Sequence, residues 1–276
     1  MVVQHNMRAM NSNRMLGLTA SAQSKSSEKL SSGYRINRAA DDAAGLSISE
    51  SMRRQIRGLT QASRNAQDGI SYAQTAEGAL GEVQDMLQRI NELSVQAANQ
   101  TNTTAQVGYL NDEVKQLTSE IKRIGDETKF NGQKLFSTGG KEIDVFAAAD
   151  SGEGHIKVKT ADLWAALSGK GISADGFGAT PSSTKAEAYI QNVKDALEVV
   201  SSMRSSLGAA QNRLEHTISN LDNVVENTTA AESRVRDTDM ASEMVKYSNA
   251  NILAQAGQAM LAQSNQANQG VLSILQ

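Results

Sequence analysis

The sequence contains no cysteine, which excludes disulfides, thiolate nucleophiles and cysteine-ligated metal ions together. It contains a single proline, Pro181, so very long helices are permitted, because each proline inside a helix would cost about 3 kcal/mol. Aromatic residues make up only 4% of the 276 positions, whereas the core of a globular enzyme normally relies on their large buried area. Burial must therefore come from Leu, Ile, Val, Met and Ala, which are the residues of helix–helix seams.

The chain also lacks features that would indicate particular ligands or partners. Its formal net charge is −3, so no general attraction to nucleic acid or to anionic lipid is expected. Residues 1–27 lack the continuous apolar core of a secretory signal, and no stretch resembles a membrane span. The three histidines are scattered without metal-ligand spacing, and no catalytic constellation is present. We therefore expect no enzymatic activity, no cofactor, no metal ion, no nucleic-acid partner and no membrane partner.

Charge is absent from the last thirty residues of the chain, 247–276. Apolar residues nevertheless recur there at helical intervals. Every seventh position forms one stripe, consisting of Leu253, Met260, Ala267 and Ile274, and Val271 lies close to it. A membrane span would not tolerate the many glutamines of this segment, whose amides need hydrogen-bond partners. We expect a helix whose whole circumference packs against other protein in an assembly; a disordered low-complexity tail is the alternative.

Helical periodicity extends through most of the remaining chain. The first segment places Val3, Met7, Met10 and Leu18 at roughly helical intervals. Helices are predicted at about 45–99, 104–129 and 185–236, and the third carries a strict seven-residue apolar repeat. Such a repeat requires a partner helix of equal length, so we expect the helices at about 45–99 and 185–236 to pack side by side. The repeat consists of Val193, Val200, Leu207, Leu214 and Leu221.

The middle of the chain, residues 137–184, is glycine-rich and less regular. Short alternation over residues 142–146 and 155–159, around a turn at 150–152, predicts a β-hairpin. The predicted fold class is therefore mostly α: long antiparallel helices form a coiled-coil or bundle rod with a small β-hairpin, and the two termini lie together.

Several long motifs resemble those of bacterial flagellins. The N-terminal half carries KLSSGYRINRAADDAAGL at residues 29–46, QDGI at 67–70, QTAEGAL at 74–80 and FNG at 130–132. The C-terminal half carries LGAAQNRLE at 207–215, TAAESRVRD at 229–237 and a matching segment at 254–276. The resemblance covers about residues 1–136 and 185–276, so the short middle leaves no room for large outer domains.

The resemblance implies a structural subunit that self-assembles into the helical filament of the extracellular bacterial flagellum and serves motility. It implies a terminal-helix coiled-coil domain over residues 1–34 and 238–276 and a rod domain over residues 35–237. Beyond other copies of the chain, the implied partners are an export chaperone, the flagellar secretion machinery, and the filament cap and junction proteins. Export would use no cleaved signal peptide. The residues expected in the polymer interior are Val3, Met7, Met10, Leu18, Leu253, Met260, Ala267, Val271 and Ile274.

Residues 88–96 (QRINELSVQ) resemble the rod-domain helix that a Toll-like innate immune receptor binds in many flagellins. Carried over to this sequence, the receptor-binding and rod-interface residues are Arg89, Glu92, Leu93, Gln96 and Glu113. A solvated or interfacial ion pair three residues apart is the simpler interpretation of the two charges on this helix. Asn91 stands where related sequences often carry a second arginine, which leaves the strength of receptor activation open.

A stretch rich in arginine follows the first predicted helix, and its charge is offset by nearby carboxylates. It favours a salt-bridged helix face or subunit interface over a nucleic-acid site. Its members are Arg35, Arg38, Arg53, Arg54, Arg57 and Arg64. The carboxylates expected to meet these arginines on neighbouring subunits are Glu215, Glu226, Glu232 and Asp237.

Other functions remain open at this point. A hook–filament junction protein shares the terminal helices and would differ by occurring in few copies per flagellum. A secreted monomeric immune ligand or adhesin would not polymerise under any salt condition.

Overall fold

The computed structural model describes residues 6–136, 139–148, 154–178 and 182–275, the last eight of them by their backbone. Long helices pack against one another and are joined by two small antiparallel strand pairs, which confirms the predicted fold class. The elements are α1 (Met7–Ser32), α2 (Ala43–Ala98), α3 (Thr104–Glu127), β1 (Lys129–Phe130), β2 (Gln133–Lys134), β3 (Lys141–Phe146), β4 (His155–Thr160), α4 (Leu163–Ser168), α5 (Ser183–Arg236) and α6 (Met240–Leu275).

The chain forms two compact units, and α2 and α5 contribute residues to both. The terminal unit comprises Met1–Arg54 and Asn227–Gln276, and it contains α1 and α6. The central unit comprises Gln55–Glu226 and contains α3, α4 and both strand pairs. The sequence-derived division at residues 34/35 and 237/238 remains a proposal.

Local capping determines where the shorter helices begin and end. Asn6 starts α1, since its side-chain oxygen accepts a hydrogen bond from the Ala9 amide at 3.0 Å. Gly33 ends α1 at φ 76°, a left-handed conformation in which other residues are strained. Thr103 and Gln106 form a reciprocal capping box at the start of α3. These caps satisfy backbone groups that the helices cannot pair internally.

The hydrophobic core of the central unit is formed mainly by α2, α3 and α5. Buried residues of α2 recur alternately three and four positions apart, which is the spacing of a helix–helix seam. All five members of the seven-residue repeat on α5 are buried. The largest fully buried side chains of this core include Leu80, Leu87, Ile90, Ile121, Leu207 and Leu214.

The hairpin β3–β4 packs against α2 in the central unit. Val145 lies opposite Ile156, and both are buried. A Cβ atom added at Gly69 of α2 would lie 2.7 Å from Cγ2 of Val145, so a glycine is required for this close approach. On the outer face, Lys157 pairs with Glu142 at 2.8 Å, and this hydrogen bond lowers the pKa of the Glu142 carboxyl. The predicted turn at residues 150–152 lies outside the described residues.

A second strand pair, β1–β2, was not predicted. Asn131 and Gly132 connect its strands at φ 48° and 77°, the double left-handed conformation of a tight two-residue hairpin turn. The Asn-Gly dipeptide is the sequence signal for this turn. Strands of only two residues carry no alternation by which they could be recognised.

The glycine-rich segment after α4 is anchored by a buried amide. The Asn111 side chain of α3 is 2% exposed, and its Oδ1 accepts a hydrogen bond from the Phe177 amide at 2.7 Å. A Cβ atom at Gly176 would lie 2.5 Å from the same oxygen. The segment therefore packs against α3 through its backbone.

Candidate functional site

Helices α1 and α6 of the terminal unit pack against each other along a seam of mainly small residues. The less exposed positions on both helices alternate three and four apart, the pattern of a coiled coil. On α1 they are Ala9, Ser12, Leu16, Thr19, Gln23 and Ser26; on α6 they are Glu243, Tyr247, Ala250, Ala254, Gly257, Leu261 and Ser264. A Cβ atom at Gly257 would lie 3.3 Å from Cδ1 of Leu16, which shows how closely the helices approach.

Polar contacts hold both ends of this seam. The Ser26 hydroxyl donates to the buried Glu243 carboxylate at 2.7 Å, and Lys246 pairs with the same carboxylate at 3.1 Å. These hydrogen bonds, together with the charge of Lys29, lower the pKa of Glu243, and the Ser26 bond is the largest cause. At the other end, the Asn6 amide donates to the Ser264 carbonyl at 3.2 Å.

Except for Leu16 and Leu261, most large apolar side chains of α1 and α6 face away from this seam. Most of their surface is exposed: Met7 69%, Met10 62%, Leu18 62%, Ile252 61%, Leu253 60% and Met260 63%. Of the other residues predicted for a polymer interior, Ala267 is exposed and Val3 lies outside the described residues. The side chains of Val271 and Ile274 also lie outside them. The helix pair therefore presents apolar stripes that nothing in the described part of the terminal unit covers.

The connections α1–α2 and α5–α6 are joined to each other in the terminal unit. The Arg35 amide donates to the Arg236 carbonyl at 2.7 Å, and the Thr238 amide donates to the Gly33 carbonyl at 3.0 Å. The Arg236 guanidinium lies over the Tyr34 ring at 4.7 Å from its centroid. Sequence reasoning missed this junction, because it pairs two segments about two hundred residues apart.

The receptor-like motif forms an exposed ion-paired cluster on α2 and α3. Arg89 pairs with Glu92 at 3.1 Å and, across the helices, with Glu113 at 3.0 Å. Both partners raise the pKa of Arg89, and the hydrogen bond to Glu113 is the largest cause. The cluster places one exposed guanidinium between two exposed carboxylates, where a polar partner can contact it.

The structure separates the five sequence-derived residues of this motif. Leu93 is 1% exposed and belongs to the core, whereas Arg89, Glu92, Gln96 and Glu113 are exposed. The side chain of Leu93 points inward because it continues the buried seam of α2. Leu93 therefore packs in the core beneath the motif and does not form part of its exposed surface.

Some of the arginines after α1 are paired within the terminal unit. Arg53 lies 3.5 Å from Glu50 and 3.9 Å from Glu232, so the latter carboxylate is engaged within its own chain. The Asp237 carboxylate likewise accepts a hydrogen bond from the Ser233 hydroxyl at 2.6 Å. Two of the four carboxylates expected to reach neighbouring subunits therefore have partners on their own chain.

The described residues contain no group of three or more His, Cys, Asp or Glu side chains placed to hold a metal ion. None of their helices combines the length and apolarity needed to cross a membrane.

Comparison with known proteins places these features in a family. Residues 3–140 match the bacterial flagellin N-terminal helical region, and residues 190–275 match the bacterial flagellin C-terminal helical region. The chain is 52% identical to a flagellin of Halalkalibacterium halodurans, over 100% of both chains. It is 44% identical to the flagellar filament 31.3 kDa core protein of Treponema maltophilum, again over 100% of both.

A solved structure shares the fold. The crystal structure of Bacillus cereus flagellin is similar with a TM-score of 0.50 and 29% sequence identity, over 57% of this chain and 88% of that one. Because the family regions match both ends and the full-length relatives exceed 40% identity, the chain belongs to the bacterial flagellin family.

Proposed function

We propose that this chain is a structural subunit that self-assembles into the helical filament of the extracellular bacterial flagellum. The observation that carries the proposal is the pair of uncovered apolar stripes on α1 and α6. An isolated soluble protein seldom leaves so many large apolar side chains of one helix pair in water, whereas an assembling one buries them against neighbours. Family membership and the name of the Treponema maltophilum relative support the same conclusion.

The geometry of the helix pair suggests how assembly is driven. Small and polar side chains form the α1–α6 seam, so the pairing itself buries few large apolar groups. The outward residues, such as Leu253 and Met260, remain available to identical neighbours. Burying a Leu or Met side chain completely stabilises by about 1.5–3 kcal/mol, so several per subunit provide a strong driving force.

Two further parts of the proposal concern domains and partners. We infer that residues 1–34 and 238–276 form the inner domain of the filament and residues 35–237 the rod domain; the joining of both chain ends in one compact unit supports this. We also expect an export chaperone, the flagellar secretion machinery, and the cap and junction proteins as partners, in line with the family.

Deletion of residues 251–276 tests the assembly function. The deletion removes the outward apolar residues Ile252, Leu253 and Met260 of α6 and leaves every residue of the central unit in place. We expect soluble protein with a cooperatively folded central unit and no filaments in sedimentation or electron microscopy. Normal filaments from the shortened chain would refute the proposal.

A second function, binding of a Toll-like innate immune receptor by the monomer, is favoured by the exposed cluster around Arg89. Its guanidinium pairs with Glu92 and Glu113, so the charged groups that a partner would contact lie together on the surface. Gln96 is exposed on the same helix. A charged surface of this kind is suited to a polar protein interface.

Replacement of Arg89 by alanine tests this second function. Arg123 provides a matched control, because it is an exposed arginine that pairs with two carboxylates, Glu120 and Glu127. We expect Arg89→Ala to weaken binding of the monomer to the receptor ectodomain, and Arg123→Ala to leave it unchanged. Equal affinities of the two variants would exclude a specific role for the Arg89 cluster.

A further inference from the structure

The central-unit part of α2 carries two arginines that form no ion pair within the described residues. Arg57 and Arg64 are seven residues apart, so they lie on one face of the helix, and both are exposed. Within the described residues, neither guanidinium has a carboxylate at ion-pair distance, in contrast to Arg53, Arg89 and Arg204. We call Arg57 and Arg64 the arginine stripe.

Helix α5 carries a complementary pair of carboxylates. Glu215 and Glu226 are eleven residues apart, close to three full turns, so they also share a face. Both are exposed, and within the described residues neither carboxylate has a cation at ion-pair distance. These two residues form the acidic stripe. They are also the two sequence-predicted carboxylates without a partner in the part of the chain that the structure describes.

The two stripes lie at the same level of the central unit. The Ser63 hydroxyl of α2 donates to the Asp222 carboxylate of α5 at 3.3 Å, which aligns the two antiparallel helices at this point. The arginine stripe spans about 10 Å and the acidic stripe about 16 Å, from the rise of 1.5 Å per residue. The two stripes therefore overlap in level, and among the described residues no ion pair joins them. Long, flexible side chains can absorb the difference in length.

We propose that the arginine stripe of one chain pairs with the acidic stripe of a second copy lying beside it in the polymer. The proposal rests on the proposed function and specifies one of its lateral contacts. A contact between two different patches of identical subunits uses one patch on each copy and leaves the other patch free, so it can propagate through an open assembly. The charges are complementary and equal in number, whereas a nucleic acid would use the arginines and be repelled by the carboxylates.

Ion pairs between the arginine and acidic stripes would mainly determine how neighbouring chains align, and would add little to the free energy of assembly. Exposed ion pairs contribute little individually, and salt screens them. Like charges brought face to face are unfavourable, so wrongly aligned neighbours are disfavoured. Apolar contacts of α1 and α6 supply the driving force for assembly. The arginine and acidic stripes restrict how the central units can lie side by side.

Charge reversal and exchange test the contact. One variant carries Arg57→Glu and Arg64→Glu, a second carries Glu215→Arg and Glu226→Arg, and a third carries all four changes. Each of the first two variants should raise the critical concentration for polymerisation about tenfold or more, because like charges then meet. The third should restore it to near that of the unmodified chain.

Controls separate this contact from folding and from the proposed function. Circular dichroism of the monomers checks that each variant is folded. Lys134→Glu with Lys170→Glu, at two exposed positions outside the stripes, gives the same change in net charge as the first variant and serves as its control. Unchanged polymerisation of the first two variants would overturn the pairing, as would a loss that the third variant does not restore. If the unmodified chain itself fails to polymerise, the proposed function fails instead.

Discussion

Replacement of Leu253 and Met260 on α6 by serine removes two of the outward apolar side chains of the terminal unit. Both project away from α1 and are 60% and 63% exposed, so they contribute little to the folded monomer. The α1–α6 seam uses other positions of the helix, so its contacts remain in the variant. We therefore expect the change to act on assembly and to leave the free energy of unfolding of the monomer nearly unchanged.

The size of the effect follows from the exposed fractions. Complete burial of a Leu or Met side chain stabilises by about 1.5–3 kcal/mol, and some three fifths of each remains to be buried. Each residue then contributes about 1–2 kcal/mol, and both together about 2–4 kcal/mol. The critical concentration for filament growth should rise from about thirtyfold to several hundredfold.

Sedimentation over a range of protein concentrations measures this quantity directly. Gln258→Ser with Gln263→Ser is the matched control, because it places two serines at exposed polar positions of the same helix. The control should polymerise at a concentration close to that of the unmodified chain. An equal critical concentration for the Leu253/Met260 variant would refute the claim that this stripe is buried in the polymer.

Two other predictions concern the units themselves. Gly69→Ala should destabilise the central unit by about 1–3 kcal/mol, because the new methyl group meets Val145 at 2.7 Å; Gly78→Ala on the same helix has free space and should stabilise by about 0.5–1 kcal/mol. Chemical denaturation measures both, and equal effects would contradict the packing of the hairpin on α2. Ser26→Ala removes the hydrogen bond that lowers the pKa of Glu243 below its ordinary value of 4.5. A carboxyl whose pKa is lower in the folded than in the unfolded state stabilises the folded state while it is ionised, and this stabilisation is lost as the pH falls. On acidification, the variant should therefore begin to lose helicity at a higher pH than the unmodified chain. An acid transition at the same pH, followed by circular dichroism, would show that the contact does not matter.

The fold of the central unit could be predicted because its seams contain many large aliphatic residues. Leu80 and Leu87 lie seven residues apart on α2, and Leu207 and Leu214 lie seven apart on α5. Each pair therefore shares one face of its helix, and hydrophobic burial decides the packing. Leu93 belongs to the same seam, and its burial follows from that spacing. Family resemblance had grouped it with exposed neighbours, and periodicity would have separated it from Arg89.

The seam of the terminal unit could not be recognised in this way. It consists of residues such as Ser12, Thr19, Ala254 and Gly257, which allow close approach but carry no strong apolar signal. The apolar periodicity instead marks the opposite side of each helix, which the partner helix does not cover. Hydrophobic pattern predicts that a face is buried, but it does not say whether the chain itself or a neighbouring copy covers it.

The central claim is that the outward stripe of α6 becomes buried when subunits assemble, and thiol labelling tests it most directly. Because the chain has no cysteine, Met260→Cys introduces a single reactive group at this stripe. Ala174→Cys, in an exposed loop, is the control and should react equally fast in monomer and filament. The account predicts rapid labelling of Met260→Cys in the monomer and much slower labelling in the filament; equal rates in the two states would contradict it.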